Sequence, residues 1–222
     1  MGRVIVIRHH EEDAAGFIGS AFEARGAELA VHWFPADGPL PDFDGAGHIV
    51  VLGSLSSVND PAPWIAEELA WLRRADAAGV PVLGICFGGQ ALCAALGGRV
   101  EAMPRPEIGW MTISPNGPGL IPSGPFFEFH YDRCLPPPAA EPLAGNAVCV
   151  QAFSIGRHLA VQFHPEVDGA QLKRWLDAGC AVEAAAAGVD PDQLLAETIR
   201  EETAAEQRAA QVVDVALRLS AR

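Results

Sequence analysis

VPVLGICFGGQAL, residues 80–92, sets an apolar run directly against a cysteine, with a glycine two positions away on each side. Val80 to Ile85 is apolar and β-branched enough for a strand buried on both faces. From Gly88 onward the residues suit a helix. A strand that passes into a helix through Gly84-Ile85-Cys86-Phe87-Gly88 fits the pattern Gly-x-nucleophile-x-Gly. Such a turn is so sharp that its neighbours must carry almost no side chain. The helix then aims its first amides and the positive end of its dipole at the sulfur, which favours thiolate over thiol. In that geometry the amide N–H of Phe87 is a natural oxyanion donor. A small buried cysteine in a glycine-rich strand end is the plainer alternative. The position after a central strand favours the nucleophile.

Upstream, the chain alternates between strand and helix. Arg3 to Arg8 (RVIVIR), Leu29 to Phe34 and His48 to Leu52 read as strands. Ala14 to Arg25 and Ala62 to Ala78 carry apolar residues at helical spacing, with Gly26 and Gly79 where helices would stop. This order predicts βαβ units and an α/β three-layer sandwich with a mostly parallel central sheet. Between Val100 and Leu159 the chain turns rich in Pro and Gly, with short apolar stretches at 110–114, 126–131 and 147–153 that suit antiparallel or irregular strands. His158 to Phe163 reads as another core strand and Gly169 to Ala178 as a helix. Asp190-Pro191 is a strong helix start, and residues 191–219 suit one long Ala- and Glu-rich helix whose apolar stripe lapses over 201–208. That helix either packs on its own domain or forms a contact with a partner or a second copy, as in a homodimer. The expected division is a domain over 1–182 and a C-terminal helical extension over 183–222.

Composition narrows the partners. Of 222 residues, 15 are Lys or Arg and 28 are Asp or Glu, a formal charge of −13. That excess argues against binding nucleic acid through its phosphates and against docking on an anionic membrane. The opening MGRVIVIRHHEEDAAG lacks the apolar core and cleavage site of a signal peptide, and no apolar run is long enough for a membrane span. The five cysteines (86, 93, 134, 149 and 180) form no CxxC pair, as expected of reduced thiols in a cytoplasmic protein. Neither a P-loop nor a GxGxxG fingerprint is present, and no second His or Cys stands at ligand spacing from His164, so neither cofactor nor metal is expected.

A thiolate nucleophile needs a base, and the base an orienting group. Of seven histidines, His164 has the most pointed setting: Gln162-Phe163-His164-Pro165-Glu166 puts it just past a strand that proline ends. Glu166 can turn back onto the imidazole and fix its tautomer. His9 and His10, beside the first strand, are expected at the surface.

Together GICFGGQ (84–90) and VQFHPE (161–166) resemble the signature of the class I, triad-type glutamine amidotransferases. LGSLSSV (52–58) stands where that family has its oxyanion-strand loop, and FHYD (129–132) where it has a His-x-Asp segment. The resemblance runs over residues 3–178 and implies a flavodoxin-like sheet. It implies that Cys86 attacks the side-chain amide of glutamine, that His164 moves the proton and that Glu166 orients His164. The oxyanion would be held at Phe87 and at the Gly53-Ser54 turn. Gln90 would hold the substrate's amino-acid end. His130, Tyr131 and Asp132, in an aromatic cluster, either line the pocket or pack in the core, and Glu107 is a weaker candidate of the same kind. One departure stands out: the family's oxyanion loop has two glycines and a proline, where this chain has Gly53-Ser54-Leu55.

Three functions fit. The first is a glutaminase subunit, resembling the glutaminase domain of GMP synthetase, that supplies ammonia to a separate synthetase. The second is a γ-glutamyl hydrolase or peptidase without a partner, its specificity expected in residues 103–125. The third is a catalytically silent homologue that binds or regulates; the retained Cys86, His164 and Glu166 speak against it.

Overall fold

The computed structural model describes residues 2–117 and 120–221. The chain order is β1 (Arg3–Arg8), α1 (Gly16–Glu23), β2 (Glu28–Trp33), β3 (Ala46–Val51), α2 (Pro63–Ala77), β4 (Val82–Ile85) and α3 (Phe87–Ala95). It continues with β5 (Arg99–Pro115), β6 (Gly124–Leu135), β7 (Glu141–Gly145), β8 (Val150–Ile155), β9 (His158–Val161), α4 (Gly169–Trp175), α5 (Ala181–Ala186) and α6 (Pro191–Ser220). The strands form one nine-stranded sheet in the order β2-β1-β3-β4-β9-β8-β7-β5-β6. β2, β1, β3, β4 and β9 pair in parallel, and β8, β7, β5 and β6 extend the sheet antiparallel. The predicted three layers and parallel core are therefore present, with a long antiparallel wing.

Alternation along β1 shows why both faces need cover. Val4 and Val6 point into a core shared with Ile18 and Phe22 of α1 and with Val212, Val213, Ala216 and Leu219 of α6. Ile5 and Ile7 point the other way, into a core with Trp71 and Leu72 of α2 and with Ala91 and Leu92 of α3. A third cluster joins Ile108 and Phe127 of the β5–β6 hairpin to Leu172 of α4, Ala184 of α5 and Leu194 of α6.

The long tail helix forms as predicted. Asp190 caps it, its Oδ1 accepting from the amides of Asp192 (2.9 Å) and Gln193 (3.2 Å). The helix expected over 169–178 ends sooner. After Trp175 the chain makes a π-helical turn over Leu176–Cys180, broken by Gly179 at φ 126°. Among the described residues, no helix is long and apolar enough to cross a membrane.

Candidate active site

From β1 the chain goes to β2 on one side and then crosses back to β3 on the other, so a crevice opens at the carboxyl ends of the parallel strands. His9 follows β1, Gly53 follows β3, Cys86 follows β4, and His164 lies just past β9. Four distant segments thus meet because the sheet register brings their strand ends level.

Cys86 has φ 51° and ψ −111° and is the one non-glycine residue at positive φ among those described. Its amide donates to the Val161 carbonyl at 2.9 Å, tying the turn to β9. The glycines around it serve close approach. A Cβ on Gly84 would lie 2.5 Å from the Gly88 carbonyl oxygen, and one on Gly88 would overlap the Val51 carbonyl oxygen. The start of α3 therefore rests directly on the backbones of β3 and β4, which fixes the strained cysteine between them. The Phe87 amide, first of α3, has no carbonyl within its helix to donate to.

The His164 Nδ1 donates to Glu166 Oε1 at 2.7 Å, and both side chains are buried. Its amide donates to the Phe127 carbonyl at 2.8 Å, and its ring meets Trp175 edge-on at 5.2 Å between centroids. Burial opposes a charge on His164, but the carboxylate of Glu166 and the sulfur of Cys86 outweigh it and hold the imidazolium well above its ordinary range. With Nδ1 committed to Glu166, Nε2 is the nitrogen left for the sulfur. Gly53 lies opposite: a Cβ there would sit 3.0 Å from His164 Cε1 and 3.8 Å from Cys86 Cβ.

Two cavities share Ser54, Leu55, Cys86 and Phe129. One continues along Ser57, Gln90, Tyr131, Asp132 and Glu183. The other continues along Glu12, Asp13, Trp175, Ala178 and Cys180. In the first, Gln90 Nε2 donates to the Asp132 carbonyl (3.1 Å) and to Gln162 Oε1 (3.3 Å), and Ser57 Oγ donates to Asp132 Oδ2 (2.5 Å). The Tyr131 hydroxyl donates to Glu183 Oε2 at 3.2 Å across the mouth. In the second, Asp13 accepts from Trp175 Nε1 at 3.0 Å, and burial raises its carboxyl above the usual range.

Of the residues singled out in the sequence, Cys86, His164, Glu166, Gly53, Ser54 and Phe87 lie together. Gln90, Tyr131 and Asp132 join them along the first cavity. His130 also borders that cavity, but its imidazole is buried between Glu107 (3.2 Å) and Glu128 (3.1 Å). Burial works against its charge and the two carboxylates outweigh it, so the imidazolium is held up to about 10. Glu107 belongs to this buried network, also accepting from Asn146 and Gln151, and lines neither cavity.

Two expectations need correction. No described residue of 103–125 lines either cavity, because β6 borders them only over Phe129–Asp132; Pro118 and Gly119 lie outside the described residues. His10 is exposed as expected, but His9 is buried against the fully buried Glu68 of α2. The His9-His10 doublet was visible in the sequence, whereas nothing marked Glu68, a lone acid in a helical pattern.

A family model described as glutamine amidotransferase class-I matches residues 15–179. The chain belongs to this family. Its relatives include a GMP synthase [glutamine-hydrolyzing] of Alkalilimnicola ehrlichii, 35% identical over 156 residues, a match spanning 61% of this chain and 28% of that protein. Gamma-glutamyl peptidase 2 of Arabidopsis thaliana is 31% identical over 157 residues, spanning 65% of this chain and 62% of that one. The chain thus spans less than two thirds of either relative. Among solved structures, a glutamine amidotransferase from Methylobacillus flagellatus superposes with a TM-score of 0.87 at 26% identity, covering 98% of this chain and 94% of that one. One from Thermotoga maritima gives 0.88 at 25% identity, covering 99% and 98%. The match to these two chains extends over nearly the whole protein, so the likeness includes the tail helix beyond the family model. The protein is an enzyme of the class I glutamine amidotransferase family.

Proposed function

We propose that this enzyme hydrolyses the side-chain amide of glutamine through Cys86, His164 and Glu166 and passes the ammonia to a separate synthetase. The observation that carries the reading is the line of groups from Glu166 through His164 to Cys86, anchored by the 2.7 Å bond at Nδ1. Cys86 Sγ attacks the γ-carbonyl carbon, the C–S bond forming as the carbonyl π pair moves onto oxygen. The amides of Phe87 and Ser54 receive that oxyanion. His164, protonated at Nε2, gives its proton to the departing nitrogen, and Glu166 stabilises the imidazolium until then. Ammonia leaves, and the γ-glutamyl group stays on sulfur as a thioester. Water then gives a proton to His164 and attacks the thioester; glutamate is released and the sulfur regenerated. The side chains that converge on the first cavity suit the amino-acid end of the substrate. We place the enzyme in the cytoplasm, with no cofactor in the reaction.

A second reading is favoured by the other cavity, which continues past Cys86 along Leu55, Trp175 and Ala178. That wall offers room for a leaving group larger than ammonia, as in a γ-glutamyl amide or peptide.

Glutamate release by the purified protein tests both, with L-glutamine and a panel of γ-glutamyl amides and peptides. Slow release from glutamine alone, lost in Cys86→Ala, is the result expected of a glutaminase awaiting its synthetase. Fast turnover of an amide or peptide would establish the second reading instead. His164→Ala should cost about 10²–10⁴-fold in kcat. No Cys86-dependent release from any substrate would overturn the catalytic assignment.

A further inference from the structure

One deeply buried pair near the site has no role in the steps above. His9 Nδ1 lies 2.8 Å from the Gly53 carbonyl oxygen, and Nε2 lies 3.0 and 3.2 Å from the two carboxylate oxygens of Glu68. A carbonyl only accepts, so Nδ1 carries a hydrogen. Nε2 faces the fully buried Glu68 carboxyl, with which it shares a hydrogen. Burial opposes a positive charge on the ring and Glu68 outweighs it, raising the group above its ordinary value. The same ring stands edge-on to Phe87, centroids 4.9 Å apart, and 5.5 Å from Trp64.

In a trans peptide the carbonyl and the next N–H point in opposite directions across one plane. His9 holds the Gly53 oxygen on its own side, so the Ser54 N–H is turned to the other side, where Gly53 and Ser54 border the cavity at Cys86. Among the described residues nothing accepts from that N–H. We propose that His9, anchored by Glu68, is a positioning residue that locks the Gly53-Ser54 peptide with its N–H facing the oxyanion. The lock takes over the part that a second glycine and a proline play in loops of the usual sequence. It makes the donor preset rather than dependent on a peptide flip when substrate binds. This inference rests on the proposed thioester chemistry.

Replacing His9 alone would strand a buried carboxylate, so the test uses His9→Leu combined with Glu68→Met, which removes both charges together. A second variant, His9→Asn with Glu68→Met, restores a donor near the position of Nδ1. Two rates are read for each: glutamate release, and alkylation of Cys86 by iodoacetamide, which needs the thiolate but no oxyanion. The first variant should lose about 10–10²-fold in kcat, less than the 10²–10³-fold cost of deleting a donor outright. KM and the alkylation rate should stay near wild type, and the asparagine variant should recover most of the loss. An unchanged kcat, or a parallel fall in alkylation, overturns the lock.

If the wild type releases no glutamate, it is the proposed hydrolysis that fails, and the lock is read separately with a γ-glutamyl aldehyde. Cys86 adds to its carbonyl carbon, and the oxygen so formed occupies the same hole without turnover. Aldehyde binding weakened about tenfold or more in the leucine variant and regained with asparagine upholds the lock; equal binding overturns it.

Discussion

A methyl group at Gly88 would land on the carbonyl oxygen of Val51, a backbone atom in the middle of the sheet. Gly88→Ala should therefore cost about 3 kcal/mol and lower the urea midpoint, because α3 must lift away from β3. The thiol would move with it, so the proposed glutaminase activity should fall further than the loss of folded protein explains. The same residue scale shows what could be read in advance. Cys86, His164 and Glu166 stand in short motifs whose local backbone dictates their neighbours, so they were legible. The His9–Glu68 pair was not, because its members come from a strand end and a distant helix and meet only through tertiary packing. His130 shows the opposite case: its position beside the cavity was legible, while Glu107 and Glu128, which claim its ring, come into reach only through the β5–β6 pairing.

At the scale of elements, α6 closes one face of the sheet. Val213 is fully buried among strand and α1 residues. Val213→Ala should cost about 2 kcal/mol, lowering Tm by about 4–8 °C, with little change in glutamate release from the folded enzyme. An unaltered Tm would mean that the helix does not cover the sheet in solution. Its cap and its length were plain from Asp190-Pro191 and the run that follows, but its contacts were not. The apolar stripe lapses over 201–208, yet Arg208 lies on the packed face there. Its guanidinium carbon sits 5.9 Å from the Trp110 ring centroid and 5.7 Å from that of Phe126, and Nη2 donates to Glu201 Oε2 at 3.0 Å. A long cationic side chain can cover aromatic rings while its letter reads as solvent-exposed. The π-helical turn after α4 escaped notice for a related reason, since Leu176–Cys180 carries no breaker before Gly179.

At the scale of the whole molecule, His48 should draw stability down in mild acid. His48 is buried in β3 against Phe22, and its Nε2 has no hydrogen-bond partner among the described residues. Burial, with a smaller push from His158, lowers it from an ordinary 6.5 to about 4. Between those values the unfolded chain binds a proton that the folded chain refuses, so stability falls as pH drops from about 6.5 toward 4, by about 3 kcal/mol in all. Tm measured across that window should decline less steeply in His48→Leu than in the wild type. Equal slopes would place the acid sensitivity elsewhere. The parallel half of the sheet was legible because strand and helix alternate with different periods. The antiparallel wing was harder to read, since β5 passes an irregularity between Ala102 and Glu107 and parts with β7 after two paired residues.

β4 and β9 are neighbours in the sheet although the whole wing separates them in the chain, with Leu83 level with Leu159. A ribosome therefore delivers Cys86 long before it delivers His164 and Glu166. Until β9 docks beside β4, the elbow lacks the Val161 carbonyl that holds its amide, and the thiol has neither base nor completed hole. On the proposed mechanism the nascent protein carries its nucleophile unarmed, and amide cleavage begins only when the last parallel strand has found its place. Recovery of glutamate release during refolding would then time the closure of the sheet, a clock built into the order of the strands.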